Sequence, residues 1–131
     1  MTVMGGGVAG LAAALLLARD GHRVTILERD EFEVGPPEEA PLWTRKGIPH
    51  FLQPHAFIPR GRAELTTSLP DVYSALLEVG AYDIDIRPKV PGPTGPDDAD
   101  LQYLAVRRPL IEWGLRRGGC PEFRGTSVAA R

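Results

Sequence analysis

Three glycines in the pattern Gly5-x-Gly7-x-x-Gly10 stand between a short apolar run and a segment rich in alanine and leucine. So many glycines within six residues call for a backbone that turns sharply and is approached closely by its neighbours. Thr2-Val3-Met4, ahead of the bend, predicts a strand. Val8 to Asp20 has no β-branched residue after Val8 and predicts a helix. Its apolar character runs nearly all round, so this helix is expected to pack on a sheet and to be covered elsewhere. Gly21 is placed to take the left-handed conformation that closes a helix. His22 to Glu28, carrying Val24, Ile26 and Leu27, predicts a second buried strand.

Strand, bend, helix and strand in this order make a βαβ unit, and each glycine then has a physical task. Gly5 makes the tight turn, Gly7 lets a pyrophosphate approach the backbone, and Gly10 lets helix and strand pack closely. The helix N-terminus offers free N–H groups and the positive end of its dipole to phosphates. Glu28 ends the second strand 18 residues beyond Gly10. A carboxylate about 20 residues on hydrogen-bonds an adenosine ribose and would repel a 2′-phosphate, which disfavours NADP. A lone Gly-x-Gly-x-x-Gly is weak evidence, but here glycines, Ala14, Gly21, Val24 and Glu28 fall in one frame. FAD and NAD share the same ADP half, so the unit by itself leaves both open. The reading requires Glu28 at the mouth of the bend and a helix beginning just beyond it.

Further along, residues 29–50 hold acidic and proline residues, including Glu31, Glu33, Glu38 and Glu39 around Gly35-Pro36-Pro37, expected to form a solvated connection. Phe57, Gly61, Leu65 and Leu69 recur every four residues and predict one helix face. Pro70 starts a further predicted helix to Val79, with Val72, Tyr73, Leu76 and Leu77 inward and Gly80 at its end. Ile84 and Ile86 alternate with charged residues as in a half-exposed strand, and Leu101 to Val106 predicts another. These two are expected to pair antiparallel across a Pro/Gly/Asp loop. Pro109 to Arg117 predicts a helix stopped by Gly118-Gly119, and Phe123 to Ala129 a last strand.

Composition narrows the function classes. The 131 residues carry 15 basic and 17 acidic side chains, a net charge of −2, so no overall field favours nucleic acid or an anionic membrane. The apolar stretch Val8 to Leu17 lacks a preceding positive charge. Its ten residues fall short of the roughly 20 needed to span a bilayer. A single cysteine, Cys120, excludes an internal disulfide and fits a reducing compartment, so a cytoplasmic protein is expected. His22, His50 and His55 lack metal-ligand spacing, and no metal site is expected. His55 is read as a packed or capping histidine.

Beyond the bend, Gly5-Gly6-Gly7-Val8-Ala9-Gly10-Leu11 and Val24-Thr25-Ile26-Leu27-Glu28-Arg29-Asp30 resemble the opening of FAD-dependent monooxygenases of the para-hydroxybenzoate hydroxylase type. The resemblance continues through Arg45-Lys46-Gly47-Ile48-Pro49-His50-Phe51-Leu52-Gln53-Pro54-His55-Ala56-Phe57 and resumes at Arg107-Arg108-Pro109-Leu110-Ile111-Glu112-Trp113. It implies an α/β fold in which a Rossmann-like FAD-binding βαβ unit with a parallel sheet is joined to an antiparallel strand pair. That pair, within residues 83–106, would belong to a substrate-side sheet. By the same resemblance Gly5, Gly7 and Gly10 cradle the FAD pyrophosphate and Glu28 binds the ribose. Arg29 lies along the adenosine half or is a plain surface arginine. Arg45 lies near the cofactor, and Arg108 reaches the flavin side. Arginine suits such positions because its charge is permanent and its fork matches phosphate oxygens. An NADH or NADPH reductant and a small-molecule substrate are implied as well, with no separate catalytic residue in the chain.

Members of that family run well past this length. A second flavin-binding segment built around Gly-Asp and a substrate-binding sheet are expected beyond the matched part. The chain is therefore read as a truncated N-terminal FAD-binding domain over residues 1–131, incomplete and inactive alone. It is expected to be marginally stable, to bind FAD weakly at best and to self-associate through its incomplete sheet. A non-catalytic nucleotide-binding fragment and an NAD-dependent dehydrogenase module are the alternatives.

Overall fold

The computed structural model describes residues 1–30, 34–93, 95–118 and 126–127. Strand β1 (Thr2–Met4) and strand β2 (Thr25–Glu28) run parallel, joined by helix α1 (Val8–Arg19). Val3 faces Ile26 across the pair, and the Gly5 amide extends the ladder by donating to the Leu27 carbonyl at 2.8 Å. Gly21, at φ 83°, closes α1 in the left-handed conformation. Leu11, Ala14 and Leu15 of α1 are buried, whereas Ala9, Ala13 and Leu16 are exposed. The expected cover on the outer face of this helix is thus not formed by the described residues. β2 begins at Thr25 rather than His22, whose amide still donates to the Leu17 carbonyl in the closing turn of α1.

The connection after β2 is less solvated than its composition implies. A short 3-10 turn over Pro37–Leu42 leaves Glu38 and Glu39 exposed while Ala40, Trp43, Arg45 and Phe51 are buried. Strand β3 (Pro54–Phe57) follows, then helices α2 (Pro59–Ser68) and α3 (Pro70–Glu78). The four-residue recurrence from Phe57 to Leu69 is therefore split. Phe57 lies on the strand, Pro59 opens the helix, and Leu69 caps α3. Of the residues expected to face inward from α3, Val72 and Leu76 are buried, Tyr73 is half-buried and Leu77 is exposed.

Strand β4 (Tyr82–Asp85) pairs antiparallel with strand β5 (Gln102–Arg107), Ile84 opposite Tyr103, as the alternation predicts. Ile86 falls just past the strand. The other edge of β5 carries β3, with His55 opposite Val106, so the expected pair is a three-stranded sheet in the order β3-β5-β4. Helix α4 (Arg108–Arg117) starts directly from β5 and is buried from Pro109 to Leu115. It packs between α1 and α3. Gly118, where α4 stops, keeps an ordinary negative φ of −59°. A side chain there would meet Val72 at 2.7 Å and Leu15 at 2.8 Å, so close packing, not turn conformation, requires this glycine. Strand β6 (Thr126–Ser127) pairs parallel with β2, giving the order β1-β2-β6. The rest of the predicted 123–129 strand, and Cys120, lie outside the described residues. No helix among the described residues is long and apolar enough to cross a membrane.

Candidate nucleotide-binding site

The glycine bend and the end of β2 meet at one carboxylate. The Gly6 amide donates to Glu28 Oε2 at 2.6 Å, and the Asp30 amide donates to Oε1 at 2.9 Å. Helix α1 begins at Val8, just beyond the bend, with no side-chain cap at Gly7. Both requirements of the reading are thereby met. Gly5 sits at φ 96°, a backbone that L side chains rarely adopt. At Gly10 a Cβ would stand 1.9 Å from the Gly5 carbonyl oxygen and 3.4 Å from Val3, so strand and helix approach too closely for any side chain.

Arg45 joins this corner from the loop anchored by Trp43 and Phe51. Its Nη2 donates to Glu28 Oε2, and its Nη1 donates to the Gly6 carbonyl at 3.1 Å and to Glu112 Oε2 at 2.5 Å. Its Nε lies 3.5 Å from Asp30 Oδ2, which also accepts from the Gly47 amide at 3.1 Å. Burial pushes the Glu28 carboxyl up. The Asp30 and Gly6 amides and the Arg45 guanidinium outweigh it and hold the group below its usual value. Glu28 is therefore a carboxylate at neutral pH.

Arg108, at the junction of β5 and α4, donates from Nε to Glu112 Oε1 at 3.3 Å and from Nη1 to His50 Nε2 at 3.1 Å. Its Nη2 points at the bend, 3.7 Å from where a Gly7 side chain would begin. His50 in turn stacks on His55, ring centroids 5.6 Å apart, and the His55 Nδ1 lies 3.1 Å from the Gln53 carbonyl. Arg29 stands apart at the rim: its side chain is 78% exposed and lies 3.6 Å from Asp30. Gly5, Gly7, Gly10, Glu28, Arg45 and Arg108 are thus brought together around one bend. Asp30, His50 and Glu112 belong to the same corner and were not singled out from sequence. Glu112 carried a usable signal, a lone acid among Leu110, Ile111 and Trp113 one turn after Arg108.

Comparison with known proteins shows what this chain is similar to. Residues 1–40 match the family model for FAD dependent oxidoreductases. The chain is also 34% identical over 134 residues to a D-amino-acid oxidase of Streptomyces coelicolor. It is 29% identical over 124 residues to Protein Rv3254 of Mycobacterium tuberculosis. The alignments take in 100% and 88% of this chain but only 38% and 25% of the two relatives. Among solved structures, p-nitrophenol 4-monooxygenase from Pseudomonas putida superposes with a TM-score of 0.55 at 18% identity. That likeness covers 89% of this chain and 28% of the monooxygenase, and establishes a shared flavoprotein fold.

FAD fits the residues present. The uncapped start of α1 presents first-turn N–H groups to a diphosphate. A carboxylate has about four acceptor positions. Oε2 of Glu28 already accepts from Gly6 and Arg45, while Oε1, among the described residues, accepts from Asp30 and keeps capacity for a ribose hydroxyl. Arg108 supplies a cation beside Gly7.

Proposed function

We propose that the chain forms the FAD-binding portion of a flavin-dependent monooxygenase of the para-hydroxybenzoate hydroxylase type. NADH or NADPH would act as external reductant and a small organic molecule as substrate. The observation that carries the nucleotide part is the meeting of Glu28 with the Gly6 amide at 2.6 Å beside an uncapped helix. In this reading Gly5, Gly7 and Gly10 shape the phosphate cradle, Glu28 accepts from the ribose, and Arg108 balances the diphosphate charge beside Gly7. When bound, the flavin supplies the electron transfer between reductant, oxygen and substrate. The residues of this chain bind it, orient it and keep water from its adenosine half. The similarity to the D-amino-acid oxidase of Streptomyces coelicolor favours a second reading, an amino-acid oxidase, in which the substrate itself delivers the electrons.

Titration of the chain with FAD, NAD and NADP side by side tests the nucleotide. FAD is expected to bind tightest and NADP most weakly, with Glu28→Gln lowering FAD affinity by about tenfold. Equal affinity for NAD and FAD, or no effect of Glu28→Gln, contradicts the assignment. In a chain extended to the length of its relatives, with FAD bound under anaerobic conditions, bleaching of the flavin absorbance by NADH or NADPH supports the monooxygenase. Bleaching by a D-amino acid alone supports the oxidase.

A further inference from the structure

We propose that Glu112 is a positioning residue of the nucleotide site, a buried carboxylate that assigns two arginines to two different tasks. The proposal rests on the reading that the glycine bend takes a nucleotide. Glu112 is 0% exposed and sits on α4 among Pro109, Leu110, Ile111 and Trp113, all buried. A carboxylate in such a place is costly unless both its oxygens are matched, and an apolar residue of similar volume would often serve stability as well. What an apolar residue would not do is hold two guanidinium groups in fixed directions.

The two oxygens do so separately. Oε2 takes Arg45 Nη1 at 2.5 Å, and Oε1 takes Arg108 Nε at 3.3 Å. Arg45 is thereby turned inward: its side chain is 3% exposed, and its donors reach the Gly6 carbonyl and Glu28. It acts on a nucleotide through the bend and through Glu28, because turning away to a phosphate would take the guanidinium from Glu112 Oε2 in a buried place. Arg108 is turned outward, with Nη2 beside Gly7 and Nη1 on His50. Arg116, one turn beyond Glu112, adds a third cation that feels the same carboxylate. Glu28, Asp30 and Glu112 thus stand against Arg45, Arg108 and Arg116, three charges of each sign.

Electrostatics alone and positioning predict opposite outcomes for Glu112→Gln. Removing one negative charge raises the local potential and would by itself tighten an anionic diphosphate. Loss of positioning loosens it, since displacements of about 1 Å at a preorganised site cost up to about a hundredfold. In the full chain, Glu112→Gln is expected to weaken both ADP and FAD by about tenfold or more. In the ligand-free variant the Gly6 and Asp30 amide resonances, both from donors to Glu28, are expected to move. Unchanged or tighter binding, or unmoved Gly6 and Asp30 resonances, overturns the proposal. If the unaltered chain, extended to the length of its relatives, takes up ADP but not FAD, the FAD reading fails while the ADP titration and the amide resonances still decide the role of Glu112. If it takes up neither nucleotide, both fall. Should the Gln variant not fold, Glu112→Asp keeps the charge one methylene short and is expected to shift the same amides and weaken ADP. Unaltered amide resonances and ADP affinity in that variant overturn the proposal.

Discussion

Two of the places where arginine and carboxylate meet invite comparison, one at the glycine bend and one where α2, α3 and β4 converge. At the second corner Arg62 donates to Asp83 from Nε at 2.8 Å and from Nη2 at 2.6 Å. The Tyr73 hydroxyl donates to the same carboxylate at 2.5 Å. Hydrogen-bond chemistry is similar at the two corners, but access to water is not. The Asp83 side chain is 31% exposed, whereas that of Glu112 is fully buried. Charges that water can re-solvate cost little to separate, while a buried charge that loses its partner has nowhere to go. The comparison teaches that the bend is built for position and the outer corner for a modest tie between elements.

The largest expected effect separates the two most clearly. Arg45→Ala leaves Glu112 and Glu28 without their shared guanidinium and should destabilise the chain by about 3–5 kcal/mol, measured by urea unfolding. A loss below that of an exposed pair would break the comparison. Gly10→Ala comes next, because the new methyl group overlaps the Gly5 carbonyl oxygen. A loss of about 1–3 kcal/mol or more is expected, accompanied by weaker FAD binding as β1 and α1 are forced apart.

Asp83→Asn should cost about 1 kcal/mol or less by the same unfolding measurement and leave FAD affinity unchanged. Acid acts on that pair in the same sense. The Arg62 hydrogen bond holds the Asp83 carboxyl below its usual range against the opposing push of burial, and Tyr73 adds to the lowering. Its contribution is complete above the unfolded value of about 3.9 and is lost as pH falls through the lower folded value. Thermal midpoints of the parent chain and Asp83→Asn should therefore converge only in strong acid.

What sequence alone revealed follows the same division between local and distant causes. The β1-α1-β2 unit, α3, α4 and the pairing of β4 with β5 rest on periodicity and turn residues within single segments, and all are present. β3 is four residues long and opens with Pro54, so it lacks the alternation that marks a strand, and its partner β5 lies almost fifty residues away. The loop after β2 is acidic and proline-rich, yet Trp43 and Phe51 pull it against the core and carry Arg45 inside. Family resemblance placed Arg45 near a cofactor. Its partner Glu112, 67 residues on, is visible only once α4 is packed beside the bend.

Mapping ADP onto the chain by amide chemical shifts tests the central claim most directly. The account predicts that the amides of Gly5 to Ala9 and of Glu28 to Asp30 move together with one saturation curve, while those of Tyr82 to Asp85 stay still. Movement confined to the outer corner, or none at the bend at saturating ADP, would contradict it.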